Sequence, residues 1–212
     1  PGAEKELADF LFSQLRRVGE VERGPLGTII GRLRRGEGPT VLLTGHMDTV
    51  PEGAGWSVPP FSGEIREGFL YGRGAVDMKS AIAAQIAGAY QAAPDIQGTL
   101  YLVYVPHEET AEGLALGRVL DRIEKPDLVV LGEPTDLRLG IGHRGRVVIR
   151  LVARGKPAHA SMPELGENAI ERMLHALSHA LRTPLPEDPL LGTGSIAPVF
   201  VSADGQGPVI PD

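Results

Sequence analysis

The stretch Val41–Val50, VLLTGHMDTV, constrains this chain more than any other. An apolar run, Val41-Leu42-Leu43, reads as a buried strand that ends in Thr44-Gly45 and then presents His46 and, two residues on, Asp48. In extended backbone, residues i and i+2 project to the same side. An imidazole and a carboxylate therefore leave the carboxyl end of a strand together, where open α/β sheets place their ligands. Alone, the pair suits a structural hydrogen bond better than a metal site. Two more apolar runs end the same way: Thr99–Val105 in Pro106-His107-Glu108-Glu109-Thr110, and the buried strand Asp127–Leu131 in Gly132-Glu133-Pro134-Thr135. Between the runs stand two helical stretches, the Ala-rich Ala81–Ala93, preceded by a glycine-rich turn holding Asp77, and Gly113–Ile123. Strand, polar loop and helix repeated in this order predict an α/β fold with a mostly parallel sheet flanked by helices.

The remaining segments fill in around that rhythm. Leu7, Phe10, Leu11, Leu15 and Val18 recur at helical spacing over Glu4–Val18. Gly27–Leu33 reads as a strand, and Glu64–Tyr71 as a hairpin turning at Glu67-Gly68. Near Gly142 the pattern changes. Arg146–Arg154 alternates apolar and basic residues as a half-exposed strand does, Asn168–Leu181 has one apolar helical face, and Thr193–Ser202 reads as another strand. We expect a first domain over 1–142 carrying the chemistry and, over 143–212, the first part of a smaller α+β domain. Gly140-Ile141-Gly142-His143-Arg144-Gly145 matches the dinucleotide fingerprint G-x-G-x-x-G, but that fingerprint must open a helix and this one leads into a strand pattern.

Composition removes several function classes. A net charge of −6 argues against a nucleic-acid partner, which needs a basic face. The chain has no cysteine, so disulfides and thiolate ligands are excluded and any metal must sit on His, Asp and Glu. No apolar run approaches the roughly 18 residues of a membrane span, and no signal peptide is evident. A cytoplasmic protein with no membrane or nucleic-acid partner is the expectation.

The acidic and histidine positions at successive strand ends form a donor set that borderline divalent ions such as Zn²⁺ accept. Each has an ordinary reading too. Asp77 suits an N-cap for the helix that follows. Glu108-Glu109 suits a solvated pair at a helix N-terminus, where acids complement the macrodipole, and Glu133 suits a loop acid. Singly these are comfortable; their coincidence at strand ends is what points to a site. His175 and His179, at i and i+4 on one helix, lack the H-E-x-x-H pattern and read as structural or surface residues, as does His143.

Together the motifs GHMDTVP (Gly45–Pro51), PPFSGEIREGFLYGRGAVDMKS (Pro59–Ser80), HEET (His107–Thr110), GEPT (Gly132–Thr135) and GKPAHASMPELGENAI (Gly155–Ile170) resemble a known family. It is the zinc metallohydrolase family of acetylornithine deacetylase, succinyl-diaminopimelate desuccinylase, aminoacylase and the glutamate carboxypeptidases. The resemblance implies a di-zinc exopeptidase-like catalytic domain with a lid and dimerisation domain over 143–212. It implies that His46 binds one Zn²⁺ with Asp48 orienting its ring, that Asp77 bridges two ions, that Glu133 completes the first ion's protein ligands and that Glu109 binds the second. Glu108 becomes the general base for a metal-activated water, and His159 of the lid reaches substrate and the developing oxyanion. Co²⁺ or Mn²⁺ could replace zinc. The implied reaction is cleavage of the amide bond of small N-acyl amino acids by a homodimer joined through the lid, with a dipeptidase or glutamate-type carboxypeptidase as the alternative. A non-catalytic homologue is a third reading, weakened because His46, Asp77, Glu108, Glu109 and Glu133 are all present.

Three positions depart from the family pattern. His107 stands where members often carry Asp, and Pro208 where lids often carry Asn. The family's last histidine ligand comes from a C-terminal segment without counterpart in these 212 residues. The resemblance thus implies a piece of a longer enzyme, trimmed at both ends and inactive by itself.

Overall fold

A computed structural model of the chain describes residues 2–203 and 209–211 and divides it into two compact units, Pro1–Arg138 and Leu139–Asp212. Pro208 lies outside the described residues.

The first unit opens with α1 (Lys5–Leu15), β1 (Glu20–Arg23), β2 (Ile29–Arg35) and β3 (Thr40–His46). The small hairpin β4 (Glu64–Arg66) and β5 (Phe69–Tyr71) follows, then α2 (Ser80–Ala92), β6 (Gly98–Val105), the single turn α3 (Glu108–Ala111), α4 (Leu114–Leu120) and β7 (Leu128–Leu131). The sheet order is β1-β2-β6-β3-β7. β6, β3 and β7 pair in parallel, while β2 is antiparallel to both β1 and β6, so β2 alone runs against the other four strands. This is the expected α/β architecture with a mostly parallel sheet. β1 was not legible in the sequence because Glu20-Val21-Glu22-Arg23 offers only one apolar side chain.

Burial follows the two-residue period of extended backbone. On β6, Leu100, Leu102 and Tyr104 turn to one face and pack with Ala8, Leu11 and Leu15 of α1 and Ile82, Ile86 and Ala89 of α2. Tyr101, Val103 and Val105 turn to the other and meet Leu42 of β3 with Ala115 and Val119 of α4. A strand covered on both faces needs no polar alternation, which is why TLYLVYV is continuously apolar. The small side chains of α2 let it lie close to the sheet.

One expected buried strand is not buried. β7 lies on the outer edge of the sheet, pairs with β3 alone, and its residues Leu128, Val129, Val130 and Leu131 are 56%, 50%, 42% and 56% exposed. Apolar composition reports what a strand is suited to pack against, not whether a neighbour covers it.

The second unit contains α5 (Ala169–Arg182) and the short pair β8 (Glu187–Asp188) with β9 (Gly192–Thr193). Asn168 caps α5, its Oδ1 accepting the N–H groups of Ile170 at 2.9 Å and Glu171 at 3.4 Å. The strand expected at Arg146–Arg154 does not form: no described ladder includes it, and Val147 and Val148 are more than 80% exposed. Alternation selects the face a strand would bury, but a strand also needs a partner for its backbone, and no described strand lies beside this one. The same holds for Thr193–Ser202, of which only Thr193 joins a ladder. The Gly140–Gly145 segment opens neither a strand nor a helix. Among the described residues no helix is long and apolar enough to cross a membrane.

Candidate metal centre

His46 is the last residue of β3 and is 2% exposed. Its Nδ1 lies 3.0 Å from the backbone oxygen of Asp48 and 3.5 Å from Asp48 Oδ1. With Nδ1–H donated to that carbonyl, Nε2 donates to Asp77 when the ring is protonated and offers its lone pair when the ring is neutral. Nε2 faces carboxylates from two other loops: Asp77 Oδ1 at 2.9 Å and Glu133 Oε1 at 3.9 Å. His46, Asp77 and Glu109 offer three donor atoms lying within 4.8 Å of one another. Residues from after β3, from before α2, from after β6 and from after β7 thus converge, as a sheet with parallel strand ends allows.

Local structure explains each placement. Asp77 is not a helix cap: Lys79 occupies the N-cap position of α2 without a side-chain capping bond, and the Asp77 carboxylate goes to His46 instead. The turn that carries it is entered through Gly74 at φ 83°, where a Cβ would stand 2.6 Å from Thr49 Cγ2, so glycine is required on both counts. The peptide bond between Asp77 and Met78 is cis. Glu108 and Glu109 form the first turn of α3, preceded by His107 at φ 61°. Arg73 ties the Pro-rich loop to this region: its Nη2 donates to Glu52 O at 2.9 Å, and its guanidinium lies 5.4 Å from the Trp56 ring centroid. A cleft of about 200 Å³ beside the cluster is lined by Thr49, Val50, Arg73, Asp77 and Glu109 among others.

The Asp48 carboxylate has a part that sequence reading missed. It is buried, and its two oxygens accept the backbone N–H groups of Glu108 and Glu109, each at 3.1 Å. One residue thereby holds the ring of His46 through its carbonyl and the acidic turn through its side chain. No sequence signal could separate these two tasks, because both use backbone partners.

The ring of groups is electrostatically strained without a cation. Burial opposes protonation of His46, but its hydrogen bond to Asp77 and the charges of Glu133 and Asp77 outweigh that and raise its pKa. Burial pushes the Glu108 carboxyl up; His46 opposes, and Glu109, Asp48 and Asp77 add to the rise. Glu133 is raised chiefly by burial in the same way. Crowded carboxylates that resist ionisation are what a bound divalent ion relieves.

His159 belongs to the second unit, is exposed, and has Nδ1 2.7 Å from Ser161 Oγ. His175 and His179 lie on α5, outside the cluster of donor atoms.

The sequence profile of Peptidase family M20/M25/M40 matches residues 42–203. The chain belongs to that family. It is 40% identical over 202 residues to a succinyl-diaminopimelate desuccinylase of Granulibacter bethesdensis, covering 90% of this chain and 52% of that protein. The chain thus spans about half the length of the curated relatives it matches. Its fold is that of an M20 family metallo-carboxypeptidase from Sulfolobus solfataricus, with a TM-score of 0.63 at 20% identity over 82% of this chain and 44% of that one. The dipeptidase Dug1p of Saccharomyces cerevisiae aligns over 98% of this chain and 62% of its own, with a TM-score of 0.60 at 17% identity.

Proposed function

We propose that the protein containing this chain hydrolyses the amide bond of small N-acyl amino acids, with His46, Asp77, Glu109 and Glu133 as ligands of two zinc ions. The observation that carries the reading is the convergence of one imidazole nitrogen and carboxylates on separate loops within a few ångströms. The donor chemistry fits: a neutral imidazole oriented through its far nitrogen, carboxylate oxygens, and no competing thiolate. Co²⁺ and Mn²⁺ suit the same donors. The ions supply Lewis-acid polarisation of a carbonyl and a nucleophilic water near neutral pH.

Asp77 lies 2.9 Å from His46 Nε2 and lines the cleft together with Glu109, which supports a role for it as a ligand that both ions would share. Glu108 takes the proton of the attacking water and returns it to the leaving nitrogen, so that amide and water become a carboxylate and an amine. Its raised pKa, set first by burial, suits a group that both accepts and donates. Asp48 keeps Glu108 at its station through the backbone. His159 donates to the developing oxyanion, a role supported by the Gly155–Ile170 motif that surrounds it. N-succinyl amino acids are the leading substrate class, by likeness to the desuccinylase relatives. We further propose that the protein works in the cytoplasm as a homodimer joined through the second unit, readings that rest on the resemblance of the sequence motifs to the family.

The test is Glu108→Gln in the full-length protein. Zinc content should be unchanged while turnover of N-succinyl and N-acetyl amino acids falls by about 10²–10⁴; retained turnover would overturn the assignment. Dipeptides in the same panel separate a deacylase from a peptidase.

A further inference from the structure

Met78 is completely buried, yet it belongs to neither of the two sheet cores; it sits over the carboxyl ends of β3 and β7. The β3–β7 ladder stops at Thr44 and Leu131. Met47 N–H turns to Val105 O of β6, so the amide of His46, one residue earlier, turns toward the β7 side, where the ladder has run out. Met78 Sδ accepts it at 3.2 Å. The same side chain fills a notch at Gly45 that only glycine leaves open and shares a second one, at Gly132, with Ala81 and Gln85. A Cβ at Gly45 would lie 2.5 Å from Met78 Cε and 3.1 Å from its Sδ. A Cβ at Gly132, the residue before Glu133, would lie 3.0 Å from Cε and 2.8 Å from Ala81 Cβ.

We propose that Met78 is a positioning residue of the metal centre: wedged over Gly45 and Gly132 and bonded to the His46 amide, its side chain sets the spacing of His46, Asp77 and Glu133. The inference rests on the reading of those three residues as metal ligands. Its backbone joins Asp77 directly, its sulfur holds the His46 backbone, and its methyl group bears on the turn that presents Glu133. A thioether suits the task because it is flexible enough to fill an irregular gap and still accepts a weak hydrogen bond. Leucine matches its volume closely but has no acceptor.

The experiment compares the full-length protein with its Met78→Leu variant and with Leu11→Ala, a core truncation on α1 far from the ligands in sequence. Cobalt titration followed by its visible absorption gives affinity, and amide hydrogen exchange at His46 is measured in the metal-free proteins. Met78→Leu should weaken cobalt binding by about tenfold or more, the usual cost of losing a group that orients a ligand, and should speed exchange at His46. Leu11→Ala should lower stability with neither effect. Unchanged cobalt affinity together with unchanged exchange in Met78→Leu would overturn the proposal. If the unsubstituted full-length protein binds no cobalt, the metal reading fails, and exchange at His46 alone then decides whether Met78 holds that turn.

Discussion

Replacing Asp48 by Asn isolates the contribution of one buried oxygen. In the native chain the two carboxylate oxygens accept the Glu108 and Glu109 N–H groups at 3.1 Å, and Oδ1 also lies 3.5 Å from His46 Nδ1. Asparagine keeps one oxygen in place and puts an NH₂ where the other stood. One charge-assisted bond becomes neutral, and the second becomes donor against donor. Hydrogen bonds to charged groups contribute about 1.5–3 kcal/mol, and a buried donor left without a partner costs about 1–3 kcal/mol. The expected loss for Asp48→Asn is therefore about 2–4 kcal/mol, a large share of the roughly 5–15 kcal/mol that holds a typical domain. Trp56, the only tryptophan, lies in the first unit and reports its urea unfolding separately from the second. With a urea slope of about 2 kcal/mol per molar, the midpoint should fall by about 1–2 M. Zinc affinity should fall with it, since the turn bearing Glu109 loses its anchor. A midpoint within about 0.2 M of the parent chain, on the same slope scale, would refute the reasoning and mean that the Asp48 carboxylate does not anchor the Glu108–Glu109 turn.

Two further outcomes follow from the same geometry. His46, Glu108 and Glu133 all have raised pKa values, the first chiefly through Asp77 against the opposing effect of burial, the other two chiefly through burial. The folded metal-free chain therefore holds more protons than the unfolded one, and stability must fall as pH rises. The two glutamates contribute from their ordinary value of 4.5 upward and His46 from 6.5 upward; the Trp56-monitored midpoint should decline across that window, and a rising midpoint would contradict the charge arrangement. Tyr104 is fully buried, and its hydroxyl has no hydrogen-bond partner among the described residues. Tyr104→Phe should stabilise the first unit by about 1 kcal/mol by removing an unsatisfied polar atom, a gain that urea unfolding would register and a loss would disprove.

The first unit was largely legible because its pattern is over-determined. TLYLVYV is long, β-branched and aromatic enough to read as a strand, the structure covers it on both faces, and the helices on either side of it carry their own periodicity. The exposed edge of β7 was illegible for the opposite reason: Leu128–Leu131 reads as core whether or not anything lies against it. In the second unit, α5 announced itself through Asn168 and a 3.6-residue stripe, both local signals. Arg146–Arg154 announced a strand by alternation, also local, but strand formation is decided by a neighbour that alternation does not name.

The candidate site divides along the same line. Its charged groups were readable because chemistry is written in side-chain identity: an imidazole and carboxylates at strand ends have few ordinary reasons to coincide. Of their supports, Asp48 as the partner of the His46 ring was expected, but its hold on the acidic turn and the part of Met78 were not, because both act on backbone N–H groups, which are the same at every position. Asp48 holds Glu108 and Glu109 by their N–H groups, and Met78 holds His46 by its N–H and the Gly45 and Gly132 turns by excluding a Cβ. The glycines were the available clue. Gly45 and Gly132 stand immediately before His46 and Glu133, and a glycine directly preceding a site residue marks a place where something must approach the backbone closely. That the thioether adjoining Asp77 fills the notch at Gly45 and shares the one at Gly132 with Ala81 and Gln85 is what links the three loops mechanically. It also implies that enlarging Gly45 should act through Met78. Gly45→Ala alone should weaken zinc binding, and Gly45→Ala combined with Met78→Ala should weaken it by less than the two single effects together, since the collision is then gone. Strict additivity would mean that the glycine and the thioether support the site independently.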